Sequence, residues 1–108
     1  MQNHSKIKSD LADFGLKSYS FIAKLQSIPT IEAIYIYGSR ARGDFDEWSD
    51  VDLAILCPNA SDEDRFLIND ILENADILVD VQYVEIDKIA DPVFMNQVNK
   101  YKKEIYHA

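Results

Sequence analysis

The sequence holds a single cysteine, Cys57, in 108 residues. One thiol builds no disulfide framework and leaves no thiolate cluster for zinc. No apolar run approaches the roughly 18 residues that a membrane span needs. The start of the chain, Met1-Gln2-Asn3-His4-Ser5-Lys6, is polar, with none of the apolar stretch that follows in a secretion signal. Basic blocks are missing too. Nineteen acidic residues against 11 basic ones give a formal charge of −8, which argues against an unaided grip on long DNA or RNA. Repeats, low-complexity tracts and long linkers are also absent. Together these absences point to a cytoplasmic protein that is one small domain, residues 1–108, around a single core.

What is present is an ordinary globular composition, 47% hydrophobic and 28% charged. Ile7, Leu11, Phe14, Phe21, Ile22 and Leu25 recur at spacings near three and four, which predicts one long helix stopped by Pro29. Ile31 to Tyr37 predicts a strand covered on both faces, broken by Gly38-Ser39. Val51 to Cys57 predicts a second strand, closed by Pro58. Ser61 to Asn74 predicts a helix, with Ser61 and Asp64 as a capping box. Ile77 to Ile86 predicts a third strand. Asp91-Pro92 suits the cap and first position of a closing helix, marked by Val93, Val98, Tyr101 and Ile105. The expected architecture is α/β: a small mixed sheet with helices packed mainly on one face and the opposite face open.

The chemistry concentrates between Tyr37 and Leu53. Gly38 and Ser39 end a buried strand, where a glycine lets the backbone approach a ligand and backbone N–H groups suit phosphate. Asp50 and Asp52 are two apart on a predicted strand, so both carboxylates face the same way. Their neighbours are apolar, and no Lys or Arg lies between Val51 and Ala60. Two acids so placed need a cation, and Mg²⁺ takes one or two carboxylates with phosphate oxygens and water. Asp80 interrupts the third apolar strand. If that strand lies beside the second, three carboxylates converge on a site for two metal ions, and the third can accept a proton from an incoming hydroxyl. Glu85 and Asp87 have the opposite parity and should face away from Asp80.

Gly38-Ser39, ten intervening residues, then Asp50-Val51-Asp52 resembles the signature of the DNA polymerase β-type nucleotidyltransferases. Arg40-Ala41-Arg42-Gly43 and Ser49-Asp50-Val51-Asp52-Leu53-Ala54-Ile55 narrow the resemblance to the minimal nucleotidyltransferases, or MNT proteins. The resemblance implies that Gly38 and Ser39 contact a triphosphate and that Asp50, Asp52 and Asp80 are both metal ligands and catalytic groups. It implies two Mg²⁺ ions, with Mn²⁺ as an alternative, and ATP as the AMP donor. It also implies a partner, a small helical HEPN protein encoded nearby, toward which the MNT protein acts as antitoxin by adding AMP to a tyrosine. Two rival functions go with it: an antitoxin that neutralises by binding alone, and transfer to a small molecule such as an antibiotic. A domain this small offers one wall of an active site, so a partner, a homo-oligomer or both are expected.

Other residues carry weaker signals. Arg40 and Arg42 are candidate triphosphate contacts, with plain solvent exposure the competing reading. Trp48 either covers an edge of the core or stacks on a base or acceptor. Asp44, Asp46 and Glu47 read as a solvated acidic loop. Cys57 reads as a small buried hydrophobe, His4 and His107 as exposed and idle, and Tyr101 and Tyr106 as core or partner-contact aromatics.

Overall fold

Ala33–Tyr37 forms strand β1, in which isoleucine and tyrosine alternate. The structure is a computed structural model that describes residues 11–16 and 20–108. Ile34 and Ile36 turn to one face of the sheet and are fully buried, while Tyr35 and Tyr37 turn to the other and stay partly open. β1 is an inner strand. It pairs antiparallel with β2, Val51–Leu56, and with β4, Lys103–His107. β3, Val81–Glu85, adds to β2 in parallel, giving the mixed order β3-β2-β1-β4.

The parallel pair requires a crossover, and helix α3, Asp62–Glu73, supplies it. The expected capping box is present. The Ser61 hydroxyl accepts the Asp64 N–H, and the Asp64 carboxylate accepts the Ser61 N–H, both at 3.1 Å. Helix α4, Pro92–Tyr101, starts as expected from Asp91, whose side chain accepts the Val93 N–H.

One core joins the sheet to the helices. Ile34, Ile36, Leu53 and Ile55 meet Phe21, Ile22 and Leu25 of helix α1, Ser20–Gln26, and Ile68 and Leu72 of α3. Each fully buried side chain of this kind contributes about 1.5–3 kcal/mol. Helices therefore pack mainly on one face. The other face is only partly open, because α4 lies over it: Phe94 meets Tyr37 edge-on, ring centres 5.9 Å apart.

Three expectations need correction. The first third is not one helix: Leu11–Phe14 is a 3-10 turn, and Gly15, at φ 74°, ends it before α1 begins. Ile7 and His4 lie outside the described residues. The third strand begins at Val81, four residues later than the apolar run suggests, and Ile77 to Val79 form a bend before it. The closing helix ends at Tyr101; Ile105, read as helical, is a buried residue of β4.

Candidate functional site

β1 delivers the chain to Gly38, which has φ 73° and ψ −155°, a backbone conformation open to glycine and strained for other residues. Ser39 then opens the four-residue helix α2, Ser39–Arg42, closed by Gly43 at φ 93°. The first N–H groups of any helix lack intrahelical partners. Across the sheet Tyr37 pairs with Asp52, which brings the aspartate beside the glycine. A Cβ added to Gly38 would stand 2.5 Å from an Asp52 carboxylate oxygen. The glycine is therefore required twice, for its backbone angle and for the room it leaves the carboxylate.

Asp52 is half-buried at the start of β2, and Asp50 is exposed two residues earlier. Burial pushes the Asp52 carboxyl above its ordinary pKa, the Asp50 charge adds to this, and Arg42 opposes both. Burial and then the Asp52 charge likewise raise the Tyr37 hydroxyl. Two acids that repel each other at a half-buried strand end, beside a glycine turn, form a donor set that suits a hard divalent cation.

Asp80 is placed differently from the expectation. Its carbonyl accepts the Val51 N–H at 2.9 Å, so it neighbours Asp50 across the β2–β3 pair, but it precedes the strand and is exposed. Among the described residues no three His, Cys, Asp or Glu side chains come together as a metal-holding group. The site is thus a carboxylate pair with a third acid on the adjoining chain. Glu85, by its opposite parity, turns to the helical side and pairs with Arg65 of α3 at 2.8 Å.

The two arginines divide. Arg40 is 3% exposed and sits under the site. Its Nε and Nη2 both donate to the Ser49 carbonyl, at 3.2 and 2.7 Å, and its Nη1 donates to the Phe14 carbonyl at 2.7 Å. Its guanidinium also lies over the Phe45 ring. Burial lowers its pKa, with the charges of Asp46 and Asp50 acting the other way. Arg40 therefore braces the loop that carries Asp50, which neither competing sequence reading anticipated. Arg42 remains at the surface, paired with Asp44 at 3.3 Å.

Arg42 also lines a cavity of about 360 Å³ with Tyr37, Gly38, Phe94, Gln97, Lys100 and Tyr101. The α4 residues here were missed from sequence. Phe94, Gln97 and Tyr101 share one helical face; of these the sequence reading singles out only Tyr101, as a core or partner-contact aromatic. Lys100 and Arg42 both lie near the Tyr101 ring, so the cavity combines cationic and aromatic groups. Of the weaker signals, Cys57 and Tyr106 are buried, Asp44, Asp46 and Glu47 are exposed, and His107 is exposed beside Glu104. Trp48 does not cover the core; it is 66% exposed.

Among the described residues no helix is long and apolar enough to cross a membrane. No curated protein sequence matches the chain. Among solved structures, it is similar to a toxin–antitoxin crystallised with AMP-PNP, at 27% identity and TM-score 0.62 over 84% of this chain and 74% of the other. It is also similar to a mutant of the toxin–antitoxin MntA-HpeT, at 26% identity and TM-score 0.59 over 86% and 74%. The fold recurs in a complex of tri-AMPylated Shewanella oneidensis HEPN toxin with MNT antitoxin, at 22% identity and TM-score 0.57 over 90% and 71%. The Polymerase beta, Nucleotidyltransferase family matches residues 20–108, the span that holds the glycine turn, the paired aspartates and the four strands of the described residues, and the chain belongs to that family.

Proposed function

We propose that this chain transfers AMP from ATP to a hydroxyl on a partner protein, a tyrosine of a HEPN-type helical protein, and in doing so acts as an antitoxin. The observation that carries the reading is the half-buried Asp52 packed against Gly38 with Asp50 beside it. Family membership supports nucleotidyl transfer. The similar structures with AMP-PNP and with an AMPylated HEPN toxin support the donor and the acceptor.

In the reaction the acceptor oxygen bonds to the α-phosphorus, the bond to the bridging oxygen breaks, and pyrophosphate leaves. The acceptor proton passes to a carboxylate, for which Asp80, exposed on the adjoining chain, is suited. Asp50 and Asp52 would hold Mg²⁺, which supplies charge neutralisation at the phosphates. Gly38 and Ser39 bring backbone close to the triphosphate. Arg42 and Lys100 offer it positive charge, and Tyr37, Phe94 and Tyr101 offer the base flat surfaces. Arg40 contributes indirectly, by fixing the Asp50 loop. Positioning and electrostatics account for most of the rate in such chemistry.

Intact-mass analysis of the HEPN-type protein co-expressed with this chain tests the proposal. Added AMP, lost when Asp50 and Asp52 are both replaced by Asn, is the expected result. An unmodified partner beside a folded, nucleotide-binding enzyme would overturn it.

A further inference from the structure

The loop before Asp50 and the segment before Asp80 meet beside the site and carry the largest apolar groups exposed there. Trp48 is 66% exposed and Leu78 is 90% exposed. With Ile77 and Val79 they border a cavity of about 240 Å³, and Glu47 and Asp76 stand at its edge. Large apolar side chains held in water next to one another mark a contact surface more often than chance exposure, and tryptophan is enriched among residues that anchor protein interfaces.

Charge narrows the occupant. Glu47 and Asp76 line the patch, and Asp44, Asp46, Asp50 and Asp80 are exposed on the same two chain segments. Of the two arginines in the same loop region, Arg40 lines the floor of the cavity but is 3% exposed, with its guanidinium engaged by the Phe14 and Ser49 carbonyls, and Arg42 pairs with Asp44. The rim is therefore strongly negative and repels nucleic acid and anionic lipid. A protein surface with basic residues around an apolar side chain complements it.

Position narrows it again. Trp48 lies two residues before Asp50, and Leu78 two residues before Asp80. A protein seated on both would rest on the two chain segments that lead into Asp50 and Asp80. We infer that the Trp48–Leu78 patch is the docking surface for the acceptor protein, and that it receives a basic, apolar-centred face of that protein. The inference rests on the transfer reading for the identity of its occupant, and it adds where the occupant sits and what chemistry it presents.

Trp48 is the only tryptophan in the chain, so its fluorescence reports on the patch directly. The experiment titrates this protein with the purified HEPN-type partner and follows Trp48 emission. An emission shift to shorter wavelength on binding is expected. Leu78→Glu should weaken binding at least tenfold, and the double charge reversal Glu47→Lys, Asp76→Lys should weaken it and lessen its sensitivity to salt. Leu78 is almost fully exposed, so Leu78→Glu should keep its melting temperature and its stabilisation by Mg²⁺ and ATP. Binding that leaves Trp48 emission and the Leu78→Glu affinity unchanged would overturn the inference. So would absence of binding, or an emission shift that appears with protein concentration alone and assigns the patch to a second copy. Binding through the patch without AMP on the partner would uphold the docking surface while overturning the transfer reading.

Discussion

Gly38 and Asp52 are packed so closely that a methyl group on the glycine would reach to 2.5 Å from the aspartate's carboxylate oxygen. The contact follows from the pairing of Tyr37 with Asp52 across β1 and β2, which puts the residue that follows β1 over the carboxylate. Gly38→Ala must both enter a strained backbone conformation at φ 73° and displace Asp52. The substitution is expected to cost about 1–3 kcal/mol of stability. Nucleotidyl transfer should fall roughly 100-fold through misplacement of the carboxylate. Chemical denaturation and single-turnover kinetics on the same sample check the two effects separately.

Arg40 ties the Asp50 loop to the 3-10 turn at the start of the described chain, through the carbonyls of Ser49 and Phe14. Gly15 makes room for it, since a Cβ there would lie 2.7 Å from Nη1. Arg40→Ala removes the donors to the buried Phe14 carbonyl and the part-buried Ser49 carbonyl and should cost roughly 1–3 kcal/mol. Arg40→Lys should recover only part, because an ammonium does not reproduce the planar fork. Urea denaturation of the three proteins measures the order. A lysine variant as stable as the parent would show that charge alone suffices.

The capping box should make stability depend on pH in a defined direction. The Ser61 N–H, and next the Thr30 hydroxyl, hold the Asp64 carboxyl below its ordinary value. A carboxyl depressed by folding stabilises fully above its unfolded pKa, and the contribution is lost as pH falls through the lower folded value. Asp64→Ala should therefore be less stable than the parent at pH 7. The difference should shrink once the pH drops below the ordinary carboxylate range. Denaturation midpoints across that range test it; a constant difference would exclude ionisation as the cause. Ser61→Ala, which removes the hydroxyl acceptor, should cost about 1 kcal/mol.

Cys57 should be a silent thiol in the native protein. It is fully buried behind β2, and burial, with Glu85 and Asp87 adding, pushes it up to about 11. The thiolate is the reactive form. Alkylation at pH 8 should be negligible until denaturant unfolds the chain, and its onset should coincide with loss of the fold.

The parts of this protein that were legible from sequence are those with local physical signatures. The Ser61–Asp64 box, the Asp91-Pro92 start, and the strands around Ile34 and Leu53 each carry their cause within a few residues. The Gly38-Ser39 and Asp50-Val51-Asp52 spacing was legible as a resemblance to a family, and the Tyr37–Asp52 pairing that brings the two stretches together was not. β4 was not. Val98, Tyr101 and Ile105 continue a helical spacing straight through the break, and no glycine or proline marks Lys102, where the backbone turns extended. Arg40 was ambiguous because its partners are carbonyls, which have no sequence signature, one of them 26 residues away. The cavity residues Phe94 and Tyr101 were hidden for a third reason: helical periodicity reports a shared face, and only the sheet decides whether that face meets core or ligand.

Transfer of a nucleotide to a protein by the Asp50–Asp52 pair beside Gly38 is what every other role proposed for the site depends on. Its most direct test is transfer of label from ATP radiolabelled at the α-phosphate, with Mg²⁺, to the HEPN-type partner. The control is the Asp50→Asn, Asp52→Asn double variant. Label is expected on the partner with the parent protein and none with the double variant. Equal label with both proteins, or none with a folded parent that binds its partner, would contradict it.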